Sequence, residues 1–254
     1  MPGSRTHLPL LVVSGLFFGA AYFTSRFPDV PGASAGSYVS TFLMALPATL
    51  ALFHYLGARR AIRSLVSVSL FAFAIEATGV ATGFPYGRFY YGDALGPLVF
   101  GLAPYLLPVS YAPLVIGAVA AAYRPGNPRI VPWILRSAAL LVLMDGVLDP
   151  GAAALGFWIW PDGGAYYGVP LTNYFGWLLS GALAAALLLT AGHWRGRPPP
   201  GLLDSAIIAM AFWTGVAVFS GLAIPALLGF VLLAFLFHQR HIFRAHVGRP
   251  SKPG

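Results

Sequence analysis

The sequence predicts an all-α integral membrane protein, a polytopic bundle of about eight transmembrane helices with both termini in the cytoplasm. Hydrophobic residues make up 58% of the 254 residues and charged residues only 9%, and the mean hydropathy is +0.76. Apolar runs of roughly 18–25 residues recur along the chain, which is the length that a helix needs to cross a bilayer core of about 30 Å. The basic residues, in addition, are concentrated between alternate runs.

Eight apolar runs are long enough to be spans. They lie at residues 8–24, 38–57, 62–82, 98–123, 131–150, 170–191, 204–221 and 224–241. The first run lacks a small-residue cleavage site, so we interpret it as a retained helix and not as a signal peptide. We expect one integral-membrane domain over residues 1–254, with its motifs concentrated in residues 62–191 and a cytoplasmic tail over residues 242–254.

The distribution of basic residues supports this topology independently. If the N-terminus is cytoplasmic, only Arg26 and Arg88 of the fifteen Lys and Arg residues fall in outer loops. Cytoplasmic loops of membrane proteins carry such an excess of Lys and Arg. A chain with seven spans would place its basic C-terminal tail outside, so the pattern favours eight.

The net charge of +8 therefore reflects topology, with some attraction to anionic lipid headgroups. Nucleic-acid binding is not expected, because the basic residues lie in short loops and a short tail. The chain has no cysteine, which excludes disulfides, thiolate metal ligands, thiol nucleophiles and covalent c-type haem attachment.

Two stretches carry the polar residues that could perform chemistry. Residues 145–177 place Asp145 and Asp149 at the end of the fifth run, then an aromatic, Gly-rich loop, then Asn173 at the start of the sixth. The spacing of four puts the two carboxyl groups on one helical face. Residues 76–91 are organised in the same way: Glu76 lies within an apolar run that leads into a Gly/Pro/Tyr loop.

These side chains are predicted to meet at one depth. With the topology above, Glu76, Asp145 and Asp149 all lie in the outer half of the membrane. An ionisable group at the centre of a membrane helix costs about 2.5–3.5 kcal/mol, so three at one depth indicate function. Asn173 and Tyr174 begin the next span at the same level. The loop residues expected above them are Tyr86, Arg88, Tyr90, Tyr91, Asp162, Tyr166 and Tyr167.

Some of these residues also have a purely structural interpretation. Asp149 precedes Pro150 and could cap the helix or turn the chain, and Glu76 could form an ion pair with Arg88. Trp158, Trp160 and Trp177, taken singly, are typical of the aromatic belt at a membrane interface. Asp145 is deeper and has no basic partner nearby in sequence, which favours a functional role.

Several kinds of chemistry are excluded by what the sequence lacks. The six histidines lie at the cytoplasmic ends of spans or in the tails, and they do not form the clusters of membrane di-iron enzymes. No dinucleotide fingerprint and no P-loop is present. What remains is acid–base chemistry without a cofactor or metal, or no chemistry at all.

The segments EATGVATGFPYGRFYYGDALGP and LDPGAAALGFWIWPDGGAYYGVPLTNYFGW resemble the membrane carotenoid 1,2-hydratases. The resemblance covers roughly residues 76–177, and one departure is Tyr111, where the family is expected to carry Trp. It implies a cofactor-independent hydro-lyase that adds water across the terminal C1,C2 double bond of an acyclic carotenoid end, as in γ-carotene, lycopene or bisanhydrobacterioruberin.

Hydration of such an alkene needs a proton donor, and a carboxyl group in a medium of low dielectric tends to keep its proton. Asp145 is the first candidate acid and Glu76 the second. Asp149 and Asn173 are placed to hold the water and take up its proton. The further residues expected to bind substrate or water are Tyr86, Arg88, Tyr90, Tyr91, Trp160, Asp162, Tyr166 and Tyr174.

Other functions fit the same residues. A carotenoid cyclase also begins with alkene protonation. A proton-coupled transporter could use the three carboxyl groups as a relay, and a lipid- or pigment-binding protein would need only the aromatic walls. The expected partners are a carotenoid, the lipid bilayer and other carotenoid-biosynthesis enzymes, and the expected location is the plasma membrane of a prokaryotic cell.

Overall fold

The computed structural model describes residues 8–28, 33–126 and 129–247, and within these ranges the chain forms eight α-helices. They are α1 (Leu8–Arg26), α2 (Ala33–Leu56), α3 (Ala58–Thr82), α4 (Leu107–Ala121), α5 (Ile130–Ala154), α6 (Leu171–Gly192), α7 (Asp204–Phe219) and α8 (Ala223–Val247). Seven are long and apolar enough to cross a membrane, counting the 3-10 turn before α7. The prediction of a polytopic all-α membrane protein is confirmed. Arg5, Arg249 and Lys252, and the predicted tail beyond residue 247, lie outside the described residues.

Side-chain contacts at one end of the bundle place the start of α3 beside the end of α6, and the start of α7 beside the end of α8. Arg63, near the start of α3, donates from Nε to the carbonyl of Ala191 at the end of α6, 2.7 Å away. Asp204, at the start of α7, forms an ion pair with Arg240, near the end of α8. We call the end of the bundle that holds these two contacts the inner end.

The opposite, outer end joins the end of α1 to the end of α7, where the rings of Tyr22 and Phe219 pack edge to face, 5.3 Å apart. Because α1 and α7 end together, they also start at the same end of the bundle. The described start of α1 therefore lies at the inner end, as does the end of α8. The distribution of basic residues predicts that this end faces the cytoplasm.

The fourth span differs from its prediction. The sequence predicts a helix over residues 98–123, but the first part forms an antiparallel ladder of β2 (Leu98–Val99) and β3 (Ala103–Pro104). Gly101, with φ of 72°, makes the turn between them. The remaining helix α4 has 15 residues, or about 22 Å at 1.5 Å per residue. Non-helical backbone is tolerated at membrane depth where it is buried in protein.

Helix α4 is the centre of the bundle. Every residue from Tyr111 to Ala121 is buried, and the helix contacts α2, α3, α5, α6, α7 and α8. A helix that is apolar on all sides is stable in such a position. Its outer end therefore delivers side chains to the interior of the bundle and not to lipid.

The fifth span extends beyond its prediction. Residues 131–150 were expected to form it, but α5 continues through Pro150 to Ala154. Proline has no N–H, so the carbonyl of Gly146 loses its partner within the helix. The hydroxyl of Tyr166 donates to that carbonyl, 3.2 Å away. Asp149 consequently lies within a helix, and the interpretation that it caps a helix end is wrong.

The two aromatic loops at the outer end are joined by a second ladder. Strand β1 (Tyr90–Tyr91) pairs antiparallel with β4 (Trp158–Ile159), so that Tyr91 lies opposite Trp158. The N–H of Gly92 extends the pairing by donating to the carbonyl of Phe157, 2.8 Å away. The ladder holds the loop after α3 against the loop after α5.

Candidate functional site

Two buried carboxyl groups share one amide donor at the outer end. Asp145 and Asp149 lie one turn apart on α5, and Asn173 lies in the first turn of α6; all three side chains are buried. The amide nitrogen of Asn173 donates to Oδ2 of Asp145 at 3.0 Å and also to Oδ2 of Asp149. The two carboxyl groups are themselves close enough to interact by hydrogen bonding. The predicted convergence of these three residues is therefore present in the structure.

Glu76 brings a third buried carboxyl group from α3. Its Oε2 accepts a hydrogen bond from the hydroxyl of Tyr91 at 2.9 Å, and it interacts electrostatically with both aspartates. Burial, followed by the nearby charge of Glu76, raises the pKa of Tyr91, so its phenol remains a donor. Glu76 and Arg88, both described, form no ion pair, so the structural alternative for Glu76 is wrong.

The β1–β4 ladder supplies one donor to each helix. Tyr91 and Trp158 lie opposite each other in the ladder, and their rings pack edge to face, 6.2 Å apart. Tyr91 donates to Glu76 on α3, while the indole of Trp158 lies within reach of Asp149 on α5. The short ladder therefore sets the positions of both donors relative to the carboxyl groups.

The ring of Tyr86 occupies a slot between two glycines. A Cβ atom added to Gly79 of α3 would lie 2.8 Å from one edge of the ring, and one added to Gly176 of α6 would lie 2.6 Å from the other. Only glycine leaves room for the ring at both positions. Burial, followed by the charge of Glu76, raises the pKa of Tyr86, which keeps its hydroxyl protonated.

A packed set of aromatic rings adjoins the carboxyl groups and reaches Glu76 through Tyr91. Phe89 packs against Trp160, with ring centroids 6.1 Å apart. Trp177 packs against Tyr86 at 6.4 Å and against Tyr111 at 5.6 Å. These π faces provide an apolar wall that can also attract a positive charge.

Three of the predicted residues lie at the rim and not in the buried cluster. Arg88, Tyr90 and Asp162 are exposed. A cavity of about 270 Å³ at the outer end of α3 is lined by Arg88 and Tyr90, and also by Phe89. Because Phe89 also packs against Trp160, its side chain connects this cavity to the aromatic wall.

Tyr166 and Tyr174 lie on the side of the carboxyl pair that faces the second loop. Their rings pack edge to face, 5.8 Å apart, and Tyr174 interacts electrostatically with both Asp145 and Asp149. Burial raises the pKa of Tyr166, whose hydroxyl remains a donor to α5. The hydroxyl of Tyr174, the indole nitrogen of Trp160 and Oδ1 of Asp145 are buried without a hydrogen-bond partner.

Ser180, which interacts with Tyr86 and Tyr111 beside the carboxyl groups, was not predicted from the sequence. Trp158 and Tyr111 were given no role in the site. Ser180 lies seven residues after Asn173, which places both on one face of α6, so helical spacing alone could have identified it. The contact between Trp158 and Asp149 depends on strand pairing across loops, for which the sequence gives no signal. Tyr111 was recognised only as an aromatic residue in place of Trp.

The arrangement can support acid–base chemistry in a desolvated setting. It combines three carboxyl groups, several phenol and indole donors and aromatic faces. Among the residues that the structure describes, no group of three or more His, Cys, Asp or Glu side chains is arranged to hold a metal ion.

The chain matches a known protein family and is similar to a curated relative. A family model described as carotenoid biosynthesis protein matches residues 35–236. A bisanhydrobacterioruberin hydratase from Haloarcula japonica is 40% identical over 206 residues, which cover 76% of this chain and 69% of the relative. No solved structure matches this chain.

Proposed function

This chain belongs to the carotenoid biosynthesis protein family, and we propose that it is a carotenoid hydratase. The proposed reaction adds water across the terminal C1,C2 double bond of an acyclic carotenoid end and yields a tertiary alcohol. The reaction transfers no electrons and adds no group other than water. It is therefore the reaction of a hydro-lyase and needs no cofactor. Support comes from the relative's activity as a hydratase and from the chemistry of the buried site.

The observation that carries the proposal is the cluster of three buried carboxyl groups on two helices. Glu76, Asp145 and Asp149 each expose less than a tenth of their surface, and each has a hydrogen-bond donor supplied by another segment. Membrane helices rarely retain such groups without a functional reason. An enzyme that protonates an alkene needs this combination of an acid and a dry, apolar surround.

Asp145 is the proposed proton donor. Its Oδ2 is engaged by Asn173, while its Oδ1 is buried and lacks a partner. Two buried carboxyl groups this close to each other cannot both be ionised without strong repulsion, so we assign the pair one shared proton. Transfer of this proton to C2 forms a C–H bond and leaves a tertiary cation at C1.

The aromatic walls and Glu76 are proposed to stabilise this cation. A cation within about 6 Å of an aromatic face gains about 0.5–2 kcal/mol, and Tyr86, Trp160 and Trp177 present such faces. Glu76 lies on α3, across from the pair on α5, and its carboxyl group can offset developing charge from the other side. Glu76 is also the second candidate for the acid.

Asp149 is proposed to accept the proton of the attacking water. The water oxygen forms a bond to C1, one O–H bond breaks, and the proton passes to the carboxyl pair. Exchange of a proton between Asp149 and Asp145 restores the starting state. Because the amide of Asn173 already donates to both carboxyl groups, we assign it the role of orienting them.

The remaining predicted residues are proposed to bind the polyene and admit water. Tyr91, Tyr166 and Tyr174 line the buried side, while Arg88, Tyr90 and Asp162 lie at the rim. Phe89 stands between the rim cavity and Trp160, so its side chain would have to move as the carotenoid end enters. We propose the prokaryotic plasma membrane as the location and other carotenoid-biosynthesis enzymes as partners.

The product mass tests this proposal. The chain is expressed in cells that accumulate lycopene or γ-carotene, with cells lacking it as the control, and the pigments are analysed by mass spectrometry. Hydration gives a product heavier by one water with an unchanged chromophore spectrum. An isomeric product with a shortened chromophore would instead indicate a cyclase. Unchanged pigment, with folded protein in the membrane, would contradict hydration of these two carotenoids and favour a different substrate, transport or pigment binding.

A further inference from the structure

Three buried hydroxyl groups converge beside the carboxyl groups without a hydrogen-bond partner. They belong to Ser180 on α6, Tyr111 on α4 and Tyr86 in the loop after α3. Their side chains are 0%, 2% and 1% exposed, and none of the three hydroxyl oxygens has a hydrogen-bond partner among the described residues. The proposed acid–base steps use none of them.

The three hydroxyl groups face one another because three separate elements bring them together. Ser180 lies on the face of α6 that carries Asn173, two turns further from the outer end. Tyr111 packs on Trp177, and Tyr86 is held in its slot between Gly79 and Gly176. Both phenols approach Ser180 closely enough to interact with it.

The hydroxyl groups also lie close to carboxyl groups of both helices. Tyr86 and Tyr111 each interact electrostatically with Glu76 and with Asp145. A small polar molecule held by these hydroxyl groups would consequently be near the proposed acid and near the proposed position of the cation.

Energetics make an accidental cluster of this kind costly. A buried polar group without a partner costs about 1–3 kcal/mol, and three of them meet here beside the carboxyl groups. A buried water molecule makes about three hydrogen bonds to groups of this kind. A single buried serine would carry no inference, since Ser64 on α3 is also fully buried and unpartnered. The convergence of three hydroxyl groups does.

We propose that Ser180, Tyr111 and Tyr86 bind the water molecule that adds to C1. The inference rests on the proposed hydration and assigns its second substrate to a defined site. The hydroxyl groups hold the water so that a lone pair of its oxygen points at C1; the C1–O bond forms, and the released proton passes to the carboxyl pair. The amide of Asn173 already donates to both carboxyl groups, so the hydroxyl groups, and not Asn173, bind the water.

Loss of this water site should separate protonation from hydration. Without a positioned water, the cation at C1 returns to an alkene by losing a proton from a neighbouring carbon. In D₂O the carboxyl group delivers deuterium to C2, so some of the recovered substrate then contains deuterium. Exchange of hydrogen for deuterium in recovered carotenoid therefore reports protonation, and the hydrated product reports capture by water.

The test compares Ser180→Ala and Tyr111→Phe with wild-type protein in membranes supplied with carotenoid in D₂O buffer. Mispositioning of a reactant costs about tenfold to hundredfold in rate, and we expect a fall of that size in hydrated product. Incorporation of deuterium into the recovered substrate should continue. The ratio of deuterated substrate to hydrated product should therefore rise by about the same factor as hydration falls. A residue with a merely structural role would lower both readouts together.

Matched controls come from the inner end. Ser64→Ala removes a fully buried, unpartnered hydroxyl group, and Tyr123→Phe removes a buried phenol just beyond α4; both should leave the ratio unchanged. Full hydration by Ser180→Ala and Tyr111→Phe, or a parallel loss of hydration and exchange, would overturn the inference. A wild-type protein that gives no hydrated product would instead contradict the proposed function itself.

Discussion

The hydroxyl of Tyr166 donates to the carbonyl of Gly146 at 3.2 Å, the carbonyl that Pro150 leaves without a partner in α5. This one contact lets the helix continue through the proline. Gly146 lies directly after Asp145, and Pro150 directly after Asp149. The backbone turn that sets the spacing of the two carboxyl groups is therefore stabilised by a residue of the second loop.

We expect Tyr166→Phe to reduce hydration without abolishing it. A lost hydrogen bond costs about 0.5–1.5 kcal/mol, which corresponds to a fall of about twofold to tenfold if the loss appears in the rate. Initial rates of product formation per folded protein measure the effect. Tyr105→Phe, in the loop before α4, removes a phenol whose ring packs on Tyr38 of α2 and serves as control. An unchanged rate in Tyr166→Phe would show that the contact does not position the carboxyl pair.

The slot around Tyr86 leads to a prediction about two glycines. Gly79→Ala and Gly176→Ala would each push a Cβ into the ring of Tyr86, and overpacking of this kind costs about 1–3 kcal/mol. We expect a lower melting temperature in detergent and a loss of hydration that exceeds the loss of folded protein. Gly19→Ala on α1, where nothing lies within 4 Å of the added Cβ, should be neutral. Normal activity in both slot variants would contradict this view of Tyr86.

Asn173 should be needed as a donor and not for its size. Asn173→Leu keeps the branching and the number of heavy atoms of the side chain but leaves two buried carboxyl groups without their common donor. Hydrogen bonds to charged groups contribute about 1.5–3 kcal/mol, so we expect hydration to fall by about tenfold to hundredfold. Thr190→Val, at the other end of α6, is the control. Wild-type rates in Asn173→Leu would refute the orienting role.

The ion pair at the inner end should affect stability and not chemistry. Arg240 Nε lies 2.5 Å from Oδ1 of Asp204, and its Nη2 lies 3.0 Å from Oδ2. Asp204→Asn removes the carboxylate from a largely buried ion pair, at a cost of about 3–5 kcal/mol. Thermal unfolding should shift down while product per folded protein stays constant. A change in product per folded protein would mean that the two ends of the bundle are coupled.

Features that depend on local sequence could be predicted. Hydrophobic length identifies the helices, and the spacing of four between Asp145 and Asp149 identifies a shared face. The topology derived from the distribution of Lys and Arg also places Glu76 at the outer end, with the two aspartates. These inferences need only the period of a helix and the cost of burying charge.

Features that depend on distant partners could not be predicted. The fourth span loses its outer turns to the β2–β3 ladder, of which β3 is buried and contacts α3. Pro150 lies inside a helix because Tyr166, far along the chain, replaces the missing hydrogen bond. Trp158 reaches Asp149 only through its pairing with Tyr91. In each case the deciding interaction joins segments for which the sequence shows no common pattern.

The central claim is that buried carboxyl groups protonate the alkene, and neutralising them tests it most directly. Asp145→Asn, Glu76→Gln and Asp149→Asn are compared with Asp93→Asn, an exposed carboxyl in the outer loop, in membranes where each protein accumulates to the same level. General acid–base groups contribute about 10²–10⁴ in rate, so the three buried variants should lose hydrated product at least about a hundredfold, and Asp93→Asn should not. Wild-type levels of hydrated product from all three buried variants would contradict the claim.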